Sequence, residues 1–172
     1  MIIQTHFNFS IPKPILFIES MIDECHSEYF IPLIEEGIKH ETNWNYVSNV
    51  KGQMTSFVYF NENKIFQKLL SSTCEVFKIN LPTLELVESW GLKLNEGEYT
   101  QLHEHHNIYS GVLYLNDADT HLEFPEINKK VECKKGKFVF FSGMLSHKTK
   151  PLVKGTKYAI AFNLQNNVRK NI

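Results

Sequence analysis

Apolar and polar positions change rhythm near residue 83. Upstream, two stretches have helical spacing. From Ser20 or Asp23 to about Lys39 the pattern is helical, with acidic residues early, where the helix dipole favours them. Pro32 lies inside that span and is expected to kink or split it. Asn61 reads as the N-cap of a second helix ending near Ile79. Ile65, Phe66, Leu69, Leu70, Thr73, Val76 and Phe77 form its stripe, and Pro82 closes it. Residues 2–9, 14–19 and 54–60 read as short strands. Downstream, β-rich runs at 84–95, 98–105, 109–116, 121–124, 130–134, 137–142 and 156–164 are separated by Gly, Asn, Asp and Lys. Helices first and short strands after predict a mostly β fold with α. The expected form is a jelly-roll barrel, the double-stranded β-helix, backed by N-terminal helices. Residues 1–172 then form one domain, with helical support over 1–83 and the barrel core over 84–165.

Two strands say more about the interior. Phe138 to Phe141 is apolar at every position, which predicts burial on both faces. In the last strand Tyr158, Ile160, Phe162 and Leu164 share one bulky face, suited to a helix layer. Lys157, Ala159, Ala161 and Asn163 share the other. Small and polar, that face suits a cavity wall.

Composition narrows the class. With 172 residues, 42% hydrophobic and 22% charged, the chain can bury a core. A net charge of −1 gives no general grip on nucleic acid. The lysines Lys129, Lys130, Lys134, Lys135 and Lys137 read as a solvated hairpin edge rather than a nucleic-acid contact. Cys25, Cys74 and Cys133 are scattered and form no CxxC, as expected of thiols in a reducing, cytoplasmic compartment. No signal peptide or membrane span is read from the sequence.

The candidate chemistry lies in His103-Glu104-His105, answered by His147 and, ten residues later, Lys157. Alternate strand residues face the same way, so His103 and His105 can reach one metal ion. His147 from a strand across the barrel would complete a facial set. Imidazoles accept iron, zinc, copper or nickel, so the ligands do not name the metal. A lone histidine would be read as an ordinary polar residue; the spacing of these three and the nearby lysine favour a site. Three neutral nitrogens beside a fixed ammonium would hold a metal together with an anionic cosubstrate. Glu104 and His106 fall on the opposite face if the strand continues and read as solvated or as outer neighbours of the site; Glu104 is the fallback ligand if the strand ends early. His6, His26, His40 and His121 have no partner by spacing.

From Trp90 to Asn163 the chain resembles the iron(II)- and 2-oxoglutarate-dependent oxygenases, in particular the small oxygenases of marine bacteria and phages. The matching pieces are Trp90, Gly97, His103-Glu104-His105, Ser110 to Leu115, Leu122-Glu123-Phe124-Pro125, Gly136 to Ser142, His147, and Lys157 to Asn163. The segment Leu113 to Asp117 is similar to a strand of prolyl-4-hydroxylase-like enzymes. The resemblance implies Fe(2+) held by His103, His105 and His147 as the catalytic set. It also implies 2-oxoglutarate held by Lys157, with Tyr114, Tyr99 and Asn163 as further cosubstrate contacts, and ascorbate as a stimulant. Hydroxylation of a C–H bond in peptidyl proline or a small molecule would follow, in a monomer or homodimer.

The departures from the pattern are specific. His105 stands where most such enzymes carry Asp or Glu, although the small family itself uses His-x-His. Lys157 replaces the usual Arg and loses its bidentate fork. Ala159 takes the place of the Ser in Arg-x-Ser. His105 to Ser110 is one residue shorter than the family spacing. Two other readings stand beside this one. Gly97 with His103-Glu104-His105 resembles half of a cupin motif, whose three-His dioxygenases use no 2-oxoglutarate; its usual Glu is replaced at 109 and 110 by Tyr and Ser. A catalytically silent barrel that binds metal or a small acid is the other. The substrate loops are expected near 44–53 and 143–155; Trp44, Asn45 and Tyr46 read as an ordinary loop with a buried aromatic more readily than as the lining of the entrance.

Overall fold

The computed structural model describes residues 15–40, 48–79 and 83–167. The strand expected at 2–9 and the residues Trp44, Asn45 and Tyr46 lie outside them. In chain order the elements are β1 Phe17–Met21, α1 Ser27–His40, β2 Val50–Lys51, β3 Gln53–Met54, α2 Lys64–Val76, β4 Leu84–Asn95, β5 Tyr99–Thr100, β6 Tyr109–Tyr114, β7 Ala118–Phe124, β8 Lys129–Cys133, β9 Lys137–Ser142, β10 Lys148–Thr149 and β11 Thr156–Asn166. A six-stranded antiparallel sheet has the order β1-β9-β6-β11-β4-β3. A three-stranded sheet, β10-β7-β8, and the pair β2-β5 form the smaller layer.

The large sheet is apolar on both faces. Phe138, Phe140, Ile160, Phe162 and Leu164 join Phe30, Ile34, Phe66 and Leu70 of the two helices in one core. Val139, Phe141, Val112 and Ala159, from the opposite face, join Leu122, Phe124, Val131 and Cys133 of the smaller layer in a second core. The jelly roll backed by helices is therefore present, and β9 and β11 divide their side chains between the layers as their alternation predicts.

Several boundaries differ from the sequence reading, each for a local reason. Helix α1 begins at Ser27 because residues 20 and 21 continue β1, Ser20 opposite Phe138 and Met21 opposite Lys137. It runs unbroken through Pro32, which lies on the exposed face. The hydrogen bond Pro32 cannot donate would go to the carbonyl of Glu28, in the exposed first turn. Residues 54–60 do not form one strand. Successive turns (Tyr59 N to Ser56 O, 3.2 Å; Asn61 N to Val58 O, 3.1 Å) send Phe60 towards the helices, while Phe57 meets Trp90. The cap of α2 is Asn63, whose side chain accepts from Phe66 N. The helix stops at Val76, with Lys78 at φ 55° and nested bonds from Lys78 N to Glu75 O and from Ile79 N to Cys74 O.

Asn61, displaced from the capping role, does something else. Strand β4 carries a bulge: Asn163 of β11 pairs with Glu88, but Leu164 pairs with Leu86, which leaves Val87 as the extra residue. Asn61 Nδ2 donates to Val87 O (3.0 Å), and its Oδ1 accepts from Ser89 Oγ (2.6 Å). The bulge reverses the faces of β4, so Leu84 and Leu86 meet the helix layer while Glu88, Trp90 and Leu92 face the interior of the barrel.

Close approach makes Gly111 specific. A Cβ there would lie 2.2 Å from the Phe162 ring, which is fully buried and stacked on Phe138. Gly111→Ala is expected to destabilise the fold by about 1–3 kcal/mol, read as a lower urea midpoint with an unchanged slope.

Candidate metal centre

The stretch read as a strand over 98–105 is interrupted. After Tyr99–Thr100 the chain leaves regular pairing and returns through one isolated antiparallel bridge between His103 and His147. His103 N donates to His147 O (3.1 Å), and His147 N donates to His103 O (2.8 Å). His105 N donates to Gly143 O (2.8 Å). Gly143 permits this crossing, since a Cβ would lie 2.0 Å from Asn107 O. The backbone remains extended enough for His103 and His105 to face the same way.

Ring centroids are 4.2 Å apart for His103 and His147, 5.0 Å for His103 and His105, and 5.2 Å for His105 and His147. One ligand nitrogen from each ring falls within 4.8 Å of the others. Two rings have a determined tautomer. His103 Nδ1 lies 2.8 Å from Gln101 O, and His147 Nδ1 lies 2.9 Å from Leu145 O. A carbonyl can only accept, so each Nδ1 carries the proton and each Nε2 keeps a lone pair. Burial pushes His103 below its ordinary pKa. It pushes His105 down to about 4 and His147 down to about 3, and His103 beside each of them adds to the fall. All three are neutral near pH 7, the form that binds a metal.

Lys157 lines the same cavity, with Tyr114, Val112, Leu122, Phe141 and Trp90 around it. It is 2% exposed, and its Nζ sits 5.4 Å from the centroid of the Tyr114 ring. Among the described residues, no carboxylate lies within ion-pair distance. Burial lowers its pKa; Cys133 partly opposes that. The free space there is about 60 Å³. Tyr114 is buried against Cys133 and also lines the cavity. Tyr99 does not: Thr100, the next residue along β5, takes that place.

Asn163 lies on the Lys157 face of β11, but it contributes to a different wall. Its Nδ2 donates to Glu88 Oε2 (2.6 Å), its Oδ1 accepts from Ser110 Oγ (2.7 Å), and His105 Nδ1 is 3.4 Å away. Asn163 and Ser110 are fully buried. Glu88 and Ser110 escaped the sequence reading. Glu88 was hidden by the bulge, and Ser110 became visible as a partner only through its register with Asn163.

Other histidines stand apart. His26, His40 and His106 are exposed, and His121 borders an open groove on the smaller layer; His6 lies outside the described residues. Glu104 is exposed. The hairpin lysines each meet a carboxylate: Lys129 and Lys137 on Glu19, Lys130 on Glu123, Lys134 on Asp117 and Lys135 on Glu28. Among the described residues, no helix is long and apolar enough to cross a membrane.

No family model matches the sequence, and no curated protein does. Solved structures match in fold. One is the viral collagen prolyl hydroxylase of Paramecium bursaria Chlorella virus-1, in complex with 2-oxoglutarate. It is 15% identical, with 89% of this chain and 96% of that one covered and a TM-score of 0.66. A prolyl-4-hydroxylase of Pseudomonas putida is 14% identical over 88% of this chain and 92% of that one (TM-score 0.65). HygX from Streptomyces hygroscopicus, with nickel and 2-oxoglutarate bound, is 12% identical over 90% and 83% (TM-score 0.62). At these identities the likeness is one of fold, the double-stranded β-helix of 2-oxoglutarate-Fe(II) oxygenases.

The depressed histidines predict an acid-sensitive fold. An unfolded histidine binds its proton near pH 6.5, while the buried rings stay neutral far below that. Between those values the unfolded chain holds more protons, so stability is lost as pH falls. The urea midpoint of metal-free protein should drop from about pH 6.5 to about pH 5, and His147→Gln should flatten that slope.

Proposed function

We propose that this protein is a non-haem Fe(II)- and 2-oxoglutarate-dependent dioxygenase that hydroxylates a C–H bond of a small molecule or a peptide, peptidyl proline included. One observation carries the reading: a buried ammonium without a carboxylate partner among the described residues lines the cavity that holds three neutral imidazoles. The donor set fits a divalent ion. Two Nε2 lone pairs are already freed by backbone acceptors, and no donor adds negative charge, so a bound dication keeps its attraction for a dianion.

His103, His105 and His147 would hold the iron, and Lys157 would hold the far carboxylate of 2-oxoglutarate. When bound, the pair supplies the oxidising chemistry. The protein's residues do the rest. The Lys157 ammonium gains a charge-assisted hydrogen bond worth about 1.5–3 kcal/mol. An anion beside it also favours its charged form against the burial that lowers its pKa. Leu92, Val112, Leu122 and Phe141 keep water from the reacting centre. Tyr114 lends its ring to the ammonium. Ascorbate would act as an external reductant.

With Fe(II) and ascorbate, the protein should convert 2-oxoglutarate to succinate even without a second substrate. Lys157→Ala should raise the Michaelis constant for 2-oxoglutarate roughly ten- to a hundred-fold. An unchanged constant would favour the three-His cupin type, which uses no 2-oxoglutarate. His147→Ala should abolish stoichiometric iron binding, measured by equilibrium dialysis; full retention would remove His147 from the site.

A further inference from the structure

The histidine cluster has a second side. A groove of about 220 Å³ adjoins the Lys157 cavity, and Val50, Trp90, His103 and His105 line both. The two sides differ in charge. The inner one carries Lys157. The outer one carries Glu88, with Glu104 also lining it, and among the described residues no lysine or arginine lines it.

Glu88 is set in place from behind. Its Oε2 accepts from Asn163, which Ser110 holds in turn, and both supports are fully buried. Among the described residues, no cation pairs with Glu88. A second observation, independent of charge, concerns Trp90, which lines both the groove and the Lys157 cavity. Trp90 is 6% exposed, and its Nε1–H is the one buried side-chain polar atom without a hydrogen-bond partner among the described residues. A buried donor left unpaired is costly and marks a place where a guest acceptor would be held. The Phe57 ring meets the Trp90 indole edge-on at 5.3 Å and adds an apolar wall.

We propose that this outer groove takes the primary substrate, and that the substrate carries a protonated amine next to an apolar body. The amine donates to Glu88 and lies against aromatic faces. An oxygen of the substrate accepts from Trp90 Nε1. The assignment rests on the reading of the histidines as metal ligands and of Lys157 as the holder of the dicarboxylate. An anionic substrate is disfavoured here, because it would meet Glu88 where, among the described residues, no lysine or arginine lines the groove.

The test uses three probes of one skeleton: phenethylamine, N-acetylphenethylamine and 3-phenylpropionate. Their binding to the full chain is measured calorimetrically, both metal-free and loaded with Zn²⁺ and 2-oxoglutarate. Phenethylamine should bind roughly ten- to a hundred-fold tighter than its acetyl derivative, and 3-phenylpropionate should bind weakest. Glu88→Gln, which keeps an oxygen for Asn163, should erase the amine's advantage and leave 2-oxoglutarate binding unchanged. Trp90→Phe should weaken an oxygen-bearing amine, tyrosinamide, more than phenethylamine. Equal or tighter binding of 3-phenylpropionate, an amine preference that survives Glu88→Gln, or no amine binding at millimolar concentration would overturn the proposal. Failure of 2-oxoglutarate to bind the metal-loaded protein, with the amine preference intact, would instead overturn the cosubstrate reading alone.

Discussion

Two hydrogen bonds between the backbones of His103 and His147 organise the centre of this protein. That bridge brings a loop after β5 against the segment that precedes β10 and sets their rings 4.2 Å apart. His105 follows because its own amide is fixed to Gly143. Each end of the bridge also uses the carbonyl two residues earlier to hold an imidazole in one tautomer. Ring orientation is thus written into main-chain geometry, and Phe124, Phe141 and Trp90 fill the space around the rings.

The barrel places unlike charges on the two sides of this cluster. Lys157 and Asn163 come from one face of one strand, yet they serve different walls. The ammonium lies among apolar side chains, whereas the amide is committed to Glu88 and Ser110. The small residues Ala159 and Ala161 lie between them and leave the interior open. On the proposed reading, that division would let a single strand address a dicarboxylate on one side and a different molecule on the other.

Much of this was legible in the chain because alternation survives where a strand is regular. The faces of β11, the double burial of Phe138 to Phe141 and the parity of His103 with His105 all follow from a period of two. What escaped was irregular. One extra residue at Val87 reverses β4, and Leu84, Leu86, Trp90 and Leu92 keep even spacing across the slip, so the alternation reads as one continuous face. Asn61 looked like a helix cap because caps and bulge clamps call for the same short amide. The turns between Ser56 and Asn63 were hidden among residues that favour strands, since Phe57 and Phe60 had to reach different layers. Tyr99 entered only through the resemblance, and in the structure its neighbour Thr100 lines the cavity instead.

The pairing of β11 has a dynamic consequence. From Ala159 to Leu164 it is hydrogen-bonded on both sides, to β4 and to β6, so its amides should exchange with deuterium only on global opening. His103 and His147 depend on a lone bridge in irregular chain, the kind of contact that opens locally at far lower free energy. Breathing of that clasp would release two imidazoles while the sheet behind them stays whole, so an ion could come and go without the barrel melting.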